Sequence, residues 1–374
     1  MNPIDLTQQL IGFDTINPPG NEEGAARYIG NILAGHGFSV EYPQFDKGRL
    51  NVIATKGLSK EALPIVLTGH LDVVPLGAKK WRFDPLIPTI ENGKLYGRGS
   101  SDMKSGVAAM IVAAIQCGSR NCPKGGIKLI FTANEELGCI GAQYLRQIGY
   151  KIGKASAIVV GEPTSNVPYS GHKGGLYLKA VTSGTTAHSS TPELGDNAIY
   201  KAARAITKIE TLKFNGHRDS LLGYPTINVG KIVGGLNLNS VPDETEFTID
   251  IRSTTKFNND RAIKVLQKKL GPEVSLIKTV DLEAIATPEN SNFLKMALDV
   301  CSYDYGVEGV VKAAPFLTDA SVLTPWMGNP PTLILGPGEA KMAHQTDEYC
   351  HVENITTAVE LYSEIIKRNS YLQL

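Results

Sequence analysis

Short apolar runs that each lead into an acid or a histidine constrain this chain more than any other feature. LNVIAT, PIVLTGH, GIKLIFTA and ASAIVVGE recur through the first 175 residues. They are nearly continuous in Val, Ile, Leu and Ala, the pattern of strands buried on both faces. Between them, DMKSGVAAMIVAAIQCG and GAQYLRQIGY carry helical patterns, and Asp102 stands where it could cap the first. This βα rhythm predicts an α/β fold, a mixed and mostly parallel sheet flanked by helices. Ligands of such sheets bind beyond the carboxyl ends of the strands.

From about residue 176 the rhythm changes. GLYLKAVTSG alternates as a half-buried strand, and a helix is predicted from Asp196 through Ile209. PTINVGKIV and DETEFTIDIRS read as two more strands, NNDRAIKVLQKKLG as a helix and PEVSLIKTVDLEAI as a last strand. The order β-α-β-β-α-β predicts a ferredoxin-like α+β domain. After residue 288 the βα pattern returns through FLKMALDVCSYDY, GVVKAAPFLTDAS and PTLILGPG to a final helix from Glu353 to Lys367. The expectation is one discontinuous domain, 1–175 and 289–374, interrupted by a smaller one at 176–288.

Lys+Arg and Asp+Glu both number 37, so the formal net charge is zero and nothing points to nucleic acid or an anionic membrane. The longest apolar stretch, GVAAMIVAAIQCG, is shorter than the ~20 residues a membrane span needs. MNPIDLTQQLIGFDT has neither the basic start nor the apolar core of a secretory signal. Five scattered cysteines without C-x-x-C spacing fit reduced thiols in the cytoplasm.

The chemistry sits at the strand ends. His70 and Asp72 close VLTGHLD, Asp102 follows LYGRGSS, Glu135 and Glu136 close IKLIFTANEE, and Glu162 follows AIVVG; His344 comes later, in KMAHQTDEY. A lone strand-end histidine is usually a hydrogen-bonded structural residue. Residues two apart on a strand share a face, however, so Asp72 could accept the second imidazole N–H of His70 and orient its ring. Asp102 alone is most simply a helix cap, a role compatible with ligation. Adjacent buried acids are harder to explain structurally, because burying either without a cation or a proton is costly. One can ligate a metal while its neighbour acts as general base on a metal-bound water. Two such metals would lie roughly 3.5–4 Å apart and lower the pKa of that water to about 7. Mixed His and carboxylate ligands without thiolate suit two divalent ions, zinc first, with cobalt or manganese as substitutes. Two competing motifs fail. Asp102 stands where a dinucleotide-binding loop would carry its third glycine, and no G-x-S-x-G occurs.

TGHLDVVPLG, the W-x-x-DP spacing, LYGRGSSDMKSG, TANEELG and GEPTSN resemble, in that order, the dinuclear zinc deacylase and aminoacylase family of metallopeptidases. Its members include acetylornithine deacetylase, succinyl-diaminopimelate desuccinylase, aminoacylase and carboxypeptidase G. The resemblance implies that His70, Asp102 and Glu162 hold one metal, and Asp102, Glu136 and His344 the other. It makes Glu135 the general base that later protonates the leaving amine, with Asp72 orienting His70. It implies that the inserted domain is a lid through which the chain forms a homodimer. His188, in GTTAHSSTPELG, would reach across that dimer to the oxyanion. Asn239, in LNSVPDE, and Arg252, in IDIRS, would hold the substrate carboxylate, for which a planar guanidinium is well shaped.

Within the family, EPTSN, GHKGG, APFLTDAS, LILGPG and AHQTDEY are most similar to acetylornithine deacetylase, which implies a place in arginine synthesis. LNLNSVPDE departs toward the pattern shared with desuccinylases and peptidases. The expected activity is hydrolysis of the amide of an N-acyl-α-amino acid, N-acetylornithine foremost. The alternatives are succinyl-diaminopimelate desuccinylation, a dipeptidase or carboxypeptidase activity, or, from another class, a metal- and amino-acid-binding protein without turnover. His36, His217 and His351 carry no such context, and His172, in GHKGG, is open between a hydrogen-bonding role and substrate contact.

Overall fold

A computed structural model describes residues 1–120, 122–214, 216–304 and 311–372. The predicted stretch GVVKAAPFLTDAS and the end of FLKMALDVCSYDY fall partly outside them. The chain divides into two compact units, Met1–Gly171 with Thr287–Lys312 and Thr318–Leu374, and His172–Ala286 with Ala313–Leu317.

The first unit is built on a sheet ordered Ser39–Glu41, Val52–Lys56, Ile127–Thr132, Ile65–His70, Ala157–Val160 and Thr332–Ile334. The centre is parallel: Ile65–His70 runs alongside both Ile127–Thr132 and Ala157–Val160, and the latter alongside Thr332–Ile334. The flanks are antiparallel, at Ser39–Glu41 against Val52–Lys56 and at Val52–Lys56 against Ile127–Thr132. Every residue of the Ile65–His70, Ile127–Thr132 and Ala157–Val160 strands is buried, so the continuous apolar runs are the ones covered on both faces. One cover is the helix Lys104–Arg120, whose Val107, Met110, Ile111 and Ala114 join a core cluster with Leu361, Tyr362 and Ile365 of the final helix, Val352–Tyr371. Gly106 lets that helix sit on the backbone: a Cβ there would lie 2.2 Å from the Gly161 carbonyl oxygen.

The second unit has a four-stranded antiparallel sheet ordered Thr226–Gly234, Glu244–Arg252, Gly175–Ser183 and Val274–Leu282. Its helices, Ala198–Glu210 and Asn259–Leu270, bury Ala202, Ala205, Ile209, Ala262, Leu266 and Leu270 against Leu176, Leu178, Phe247, Ile249 and Ile251. Asn197 and Asn258 cap them, accepting from the Tyr200 and Arg261 amides. This is the ferredoxin-like α+β arrangement. Among the described residues no helix is long and apolar enough to cross a membrane.

Candidate metal centre

Parallel pairing sets the Ile65–His70, Ile127–Thr132 and Ala157–Val160 strands side by side, so the residues just past their carboxyl ends converge. His70 Nε2 lies 3.1 Å from Asp102 Oδ1 and 3.8 Å from Glu162 Oε1. His344 Nε2 lies 3.1 Å from Glu136 Oε2 and 3.5 Å from Asp102 Oδ2. Two donor sets result, His70–Asp102–Glu162 and Asp102–Glu136–His344, with the ligating atoms of each set within 4.8 Å of one another. Asp102 is common to both.

Asp102 stands where the two donor sets meet. Its two oxygens face the two imidazoles, and the helix begins only at Lys104. One sequence expectation, at Asp72, needs correction. Asp72 accepts the His70 Nδ1–H through its main-chain carbonyl, at 2.9 Å, while its carboxylate stays 3.7 Å from that nitrogen. The carboxylate is engaged elsewhere, with Oδ1 accepting the Glu135 amide at 3.0 Å and Oδ2 the Glu136 amide at 3.2 Å. The carbonyl bond keeps a proton on Nδ1 and turns Nε2 toward Asp102 and Glu162, so that loss of the Nε2 proton would offer its lone pair to a cation.

Burial pushes the Glu135 and Glu162 carboxyls well above their usual range, only partly offset by His70. Burial also raises Glu136, and the charge of Asp102 adds to it. Burial would raise Asp102 too, but its bonds with His344 and His70 outweigh that and hold it low. Hydrogen bonds to Asp102 and Glu136 lift His344 to about 10. Burial works against a charge on His70, yet Asp102 and Glu162 raise it well above its ordinary value. A nest of carboxylates that draws protons onto two imidazoles is short of positive charge. Glu136 Oε1 is moreover buried without a hydrogen-bond partner, an acceptor that a cation would satisfy. The residues therefore fit divalent metal.

Several supporting residues had no pattern in the sequence. Glu348, fully buried, accepts the amides of Gly99, Ser101 and Asp102 and pairs with Arg98 at 2.7 Å, so it holds the Asp102 loop. Asp319 accepts from the Thr132 hydroxyl, and burial raises its carboxyl to about 6. Asn17 donates to Asp72. Only AHQTDEY, in which Glu348 follows His344 by four residues, carried a usable signal.

In the second unit, His188 and Asn239 are neighbours: Ser189 donates its amide to the Asn239 carbonyl at 3.0 Å, and His188 bridges Ser240. His188 is exposed, with Nδ1 2.7 Å from Ser190 Oγ. Arg252 pairs with Asp250 at 2.9 Å and lies over the Tyr177 ring. His172 is buried with Nδ1 on the Lys173 carbonyl and Nε2 unpartnered. Of the remaining histidines, His36 bonds the Ile32 carbonyl, His217 stacks on Phe257, and His351 meets Glu339 at 2.9 Å.

A sheet whose strand ends gather two sets of histidine and carboxylate donors around one shared aspartate is suited to hold divalent metal there. The chain belongs to peptidase family M20/M25/M40, whose model matches residues 66–368. It is 31% identical to a probable succinyl-diaminopimelate desuccinylase of Staphylococcus aureus, over 97% of this chain and 98% of that one. It is 29% identical to the acetylornithine deacetylase of Aliivibrio fischeri, over 98% of each. It shares its fold with a family M20 metallo-carboxypeptidase from Sulfolobus solfataricus, at a TM-score of 0.82 and 20% identity, covering 99% of this chain and 100% of that one.

Proposed function

We propose that this protein hydrolyses the amide of an N-acyl-α-amino acid, with N-acetylornithine as its substrate. The observation that carries the reading is the tandem Glu135–Glu136, held at the end of a buried strand beside two donor sets that share Asp102. Two divalent ions, zinc by the donor chemistry, would polarise the amide carbonyl and make water a nucleophile near neutral pH. Glu135 then takes the proton of the attacking water. Its Oε1 receives the Cys139 thiol at 3.5 Å, which leaves Oε2 for that proton. Burial keeps the carboxyl basic enough to retain the proton and pass it to the departing nitrogen. His70, Asp102, Glu136, Glu162 and His344 hold the ions, and Asp72 orients His70 through its carbonyl. On the resemblance of their motifs we assign His188 to the oxyanion and Asn239 and Arg252 to the substrate carboxylate. The same resemblance supports a homodimer formed through the second unit, and five free cysteines support a cytoplasmic setting.

Desuccinylation of N-succinyl-diaminopimelate is the second reading, favoured by the 31% identity to a protein described by that activity. Steady-state hydrolysis of N-acetylornithine, N-acetylcitrulline, N-succinyl-diaminopimelate, N-acetylmethionine and a dipeptide by zinc- or cobalt-loaded protein separates the two. Selective, chelator-sensitive cleavage of N-acetylornithine is expected. Cleavage of the succinyl substrate alone would move the assignment to desuccinylation, and no cleavage of any would leave a metal-binding protein without turnover.

A further inference from the structure

The segment before the first strand of the sheet runs beside the metal centre. Its main chain is already secured there: the Asn17 amide donates to the Val73 carbonyl at 2.8 Å, the Val73 amide to the Thr15 carbonyl at 3.0 Å, and the Thr15 hydroxyl to the Leu71 carbonyl at 2.7 Å. The segment is therefore held by bonds besides those of the Asn17 side chain. It is buried, and its Nδ2 reaches Asp72 Oδ2 at 2.8 Å and Asn134 Oδ1 at 2.7 Å. Its Oδ1 has no partner. The amide thus leaves a buried acceptor unsatisfied while both of its bonds go to residues that place Glu135 and Glu136.

Asp72 fixes the two glutamates by accepting both of their main-chain amides. Asn134 precedes them with a positive φ of 59°, in the left-handed region, and Glu22 accepts its amide at 3.3 Å. Glu22 is in turn clamped by Arg49, whose Nη2 lies 2.7 Å from its Oε1. Asn17 joins the carboxylate that receives the glutamates to the residue that aims them. Without it, among the described residues, Asp72 keeps the Glu135 amide on Oδ1 and only the longer bond from Glu136 on Oδ2.

We infer that Asn17 is a positioning residue, whose side-chain amide locks Asp72 to Asn134 and thereby sets the direction of Glu135 and Glu136. The inference rests on the hydrolase reading for its rate measurement and is independent of it for its binding measurement. Asn17→Ala, Asn17→Asp and Asn17→Gln are compared with the unaltered protein. One measurement is kcat and KM per folded molecule at saturating cobalt; the other is direct titration of cobalt into metal-free protein. Asn17→Ala should lower kcat about 10–100-fold, with KM within about threefold, and weaken cobalt binding about tenfold, as loss of a residue supporting metal ligands does. Asn17→Asp, which sets an acceptor against Asp72, should lose at least as much, and Asn17→Gln, which keeps the donor, should recover part of the loss. Cobalt binding and kcat per folded molecule within twofold of the unaltered protein in Asn17→Ala would overturn the inference. If Asn17→Asp does not fold, the Ala and Gln pair decides. If the unaltered protein cleaves nothing in the panel, the hydrolase reading fails, and the cobalt titration alone decides the role of Asn17.

Discussion

Glu135 and His172 show how burial acts on single ionisable groups in this protein. Glu135 is enclosed without being a member of either donor set, so its proton-transfer role can be removed without removing a ligand. Glu135→Gln is expected to lower kcat by at least about a thousandfold, the scale of lost general acid–base catalysis in a concerted site, with two equivalents of metal still bound by elemental analysis. Retention of a near-normal rate would remove Glu135 from the mechanism. His172 is lowered from 6.5 to about 4 because burial disfavours its charged form. An unfolded chain therefore binds a proton here that the folded chain refuses between those two values. Above about pH 6.5 the residue takes nothing from stability; as pH falls toward 4, up to about 1.4 kcal/mol per unit is lost. Urea denaturation at a series of pH values should show a shallower decline for His172→Asn than for the unaltered protein in that window. An identical slope would mean that His172 binds its proton equally in both states.

The strands and helices were largely legible as elements, and their polar supports were not. Continuous apolar runs announced the buried strands, and their abrupt polar ends placed His70, Glu135, Glu136 and Glu162. Alternation in GLYLKAVTS and DETEFTIDIR marked strands with one covered face, as Leu176, Leu178, Phe247 and Ile249 confirm. Asp102 fits a cap and a ligand alike in sequence, because an acid two residues before an apolar helix looks the same whether it faces amides or imidazoles. Glu348 and Asn17 carried no periodicity, and their partners lie far along the chain, so only folded geometry joins them. Close approach was equally hidden. Gly106 lies within the Lys104–Arg120 helix, where alanine is worth about 1 kcal/mol more than glycine in a free helix. Here a Cβ would meet the Gly161 carbonyl, and at Gly338 one would meet the Ser101 carbonyl at 2.1 Å. Gly106→Ala is expected to destabilise the protein despite its better propensity and to lower activity by shifting Asp102 against Glu162. A melting temperature raised by the substitution would show that the helix can back away freely. Asn197→Ala, by contrast, removes only a cap and should cost about 1 kcal/mol in denaturant titrations.

Across the whole molecule, the acids of the metal centre make folding and loading one problem. Carboxylates gathered without a cation are held by protons and imidazoles, so divalent ions should stabilise the folded chain over the unfolded one. At a hundredfold excess over Kd the gain is about 2.7 kcal/mol. Chelation should lower the melting temperature and zinc or cobalt restore it; a melting curve indifferent to both would argue against a site built for metal. The first unit is also discontinuous, with Met1–Gly171 before the second unit in sequence and Thr318–Leu374 after it. His344, and Glu348 that anchors the Asp102 loop, belong to the segment that follows the second unit. A chain synthesised only through the second unit therefore carries Glu135 and four of the candidate ligands but neither the fifth nor the anchor. Translation order itself leaves the Asp102–Glu136–His344 donor set open until the segment that follows the second unit has been made.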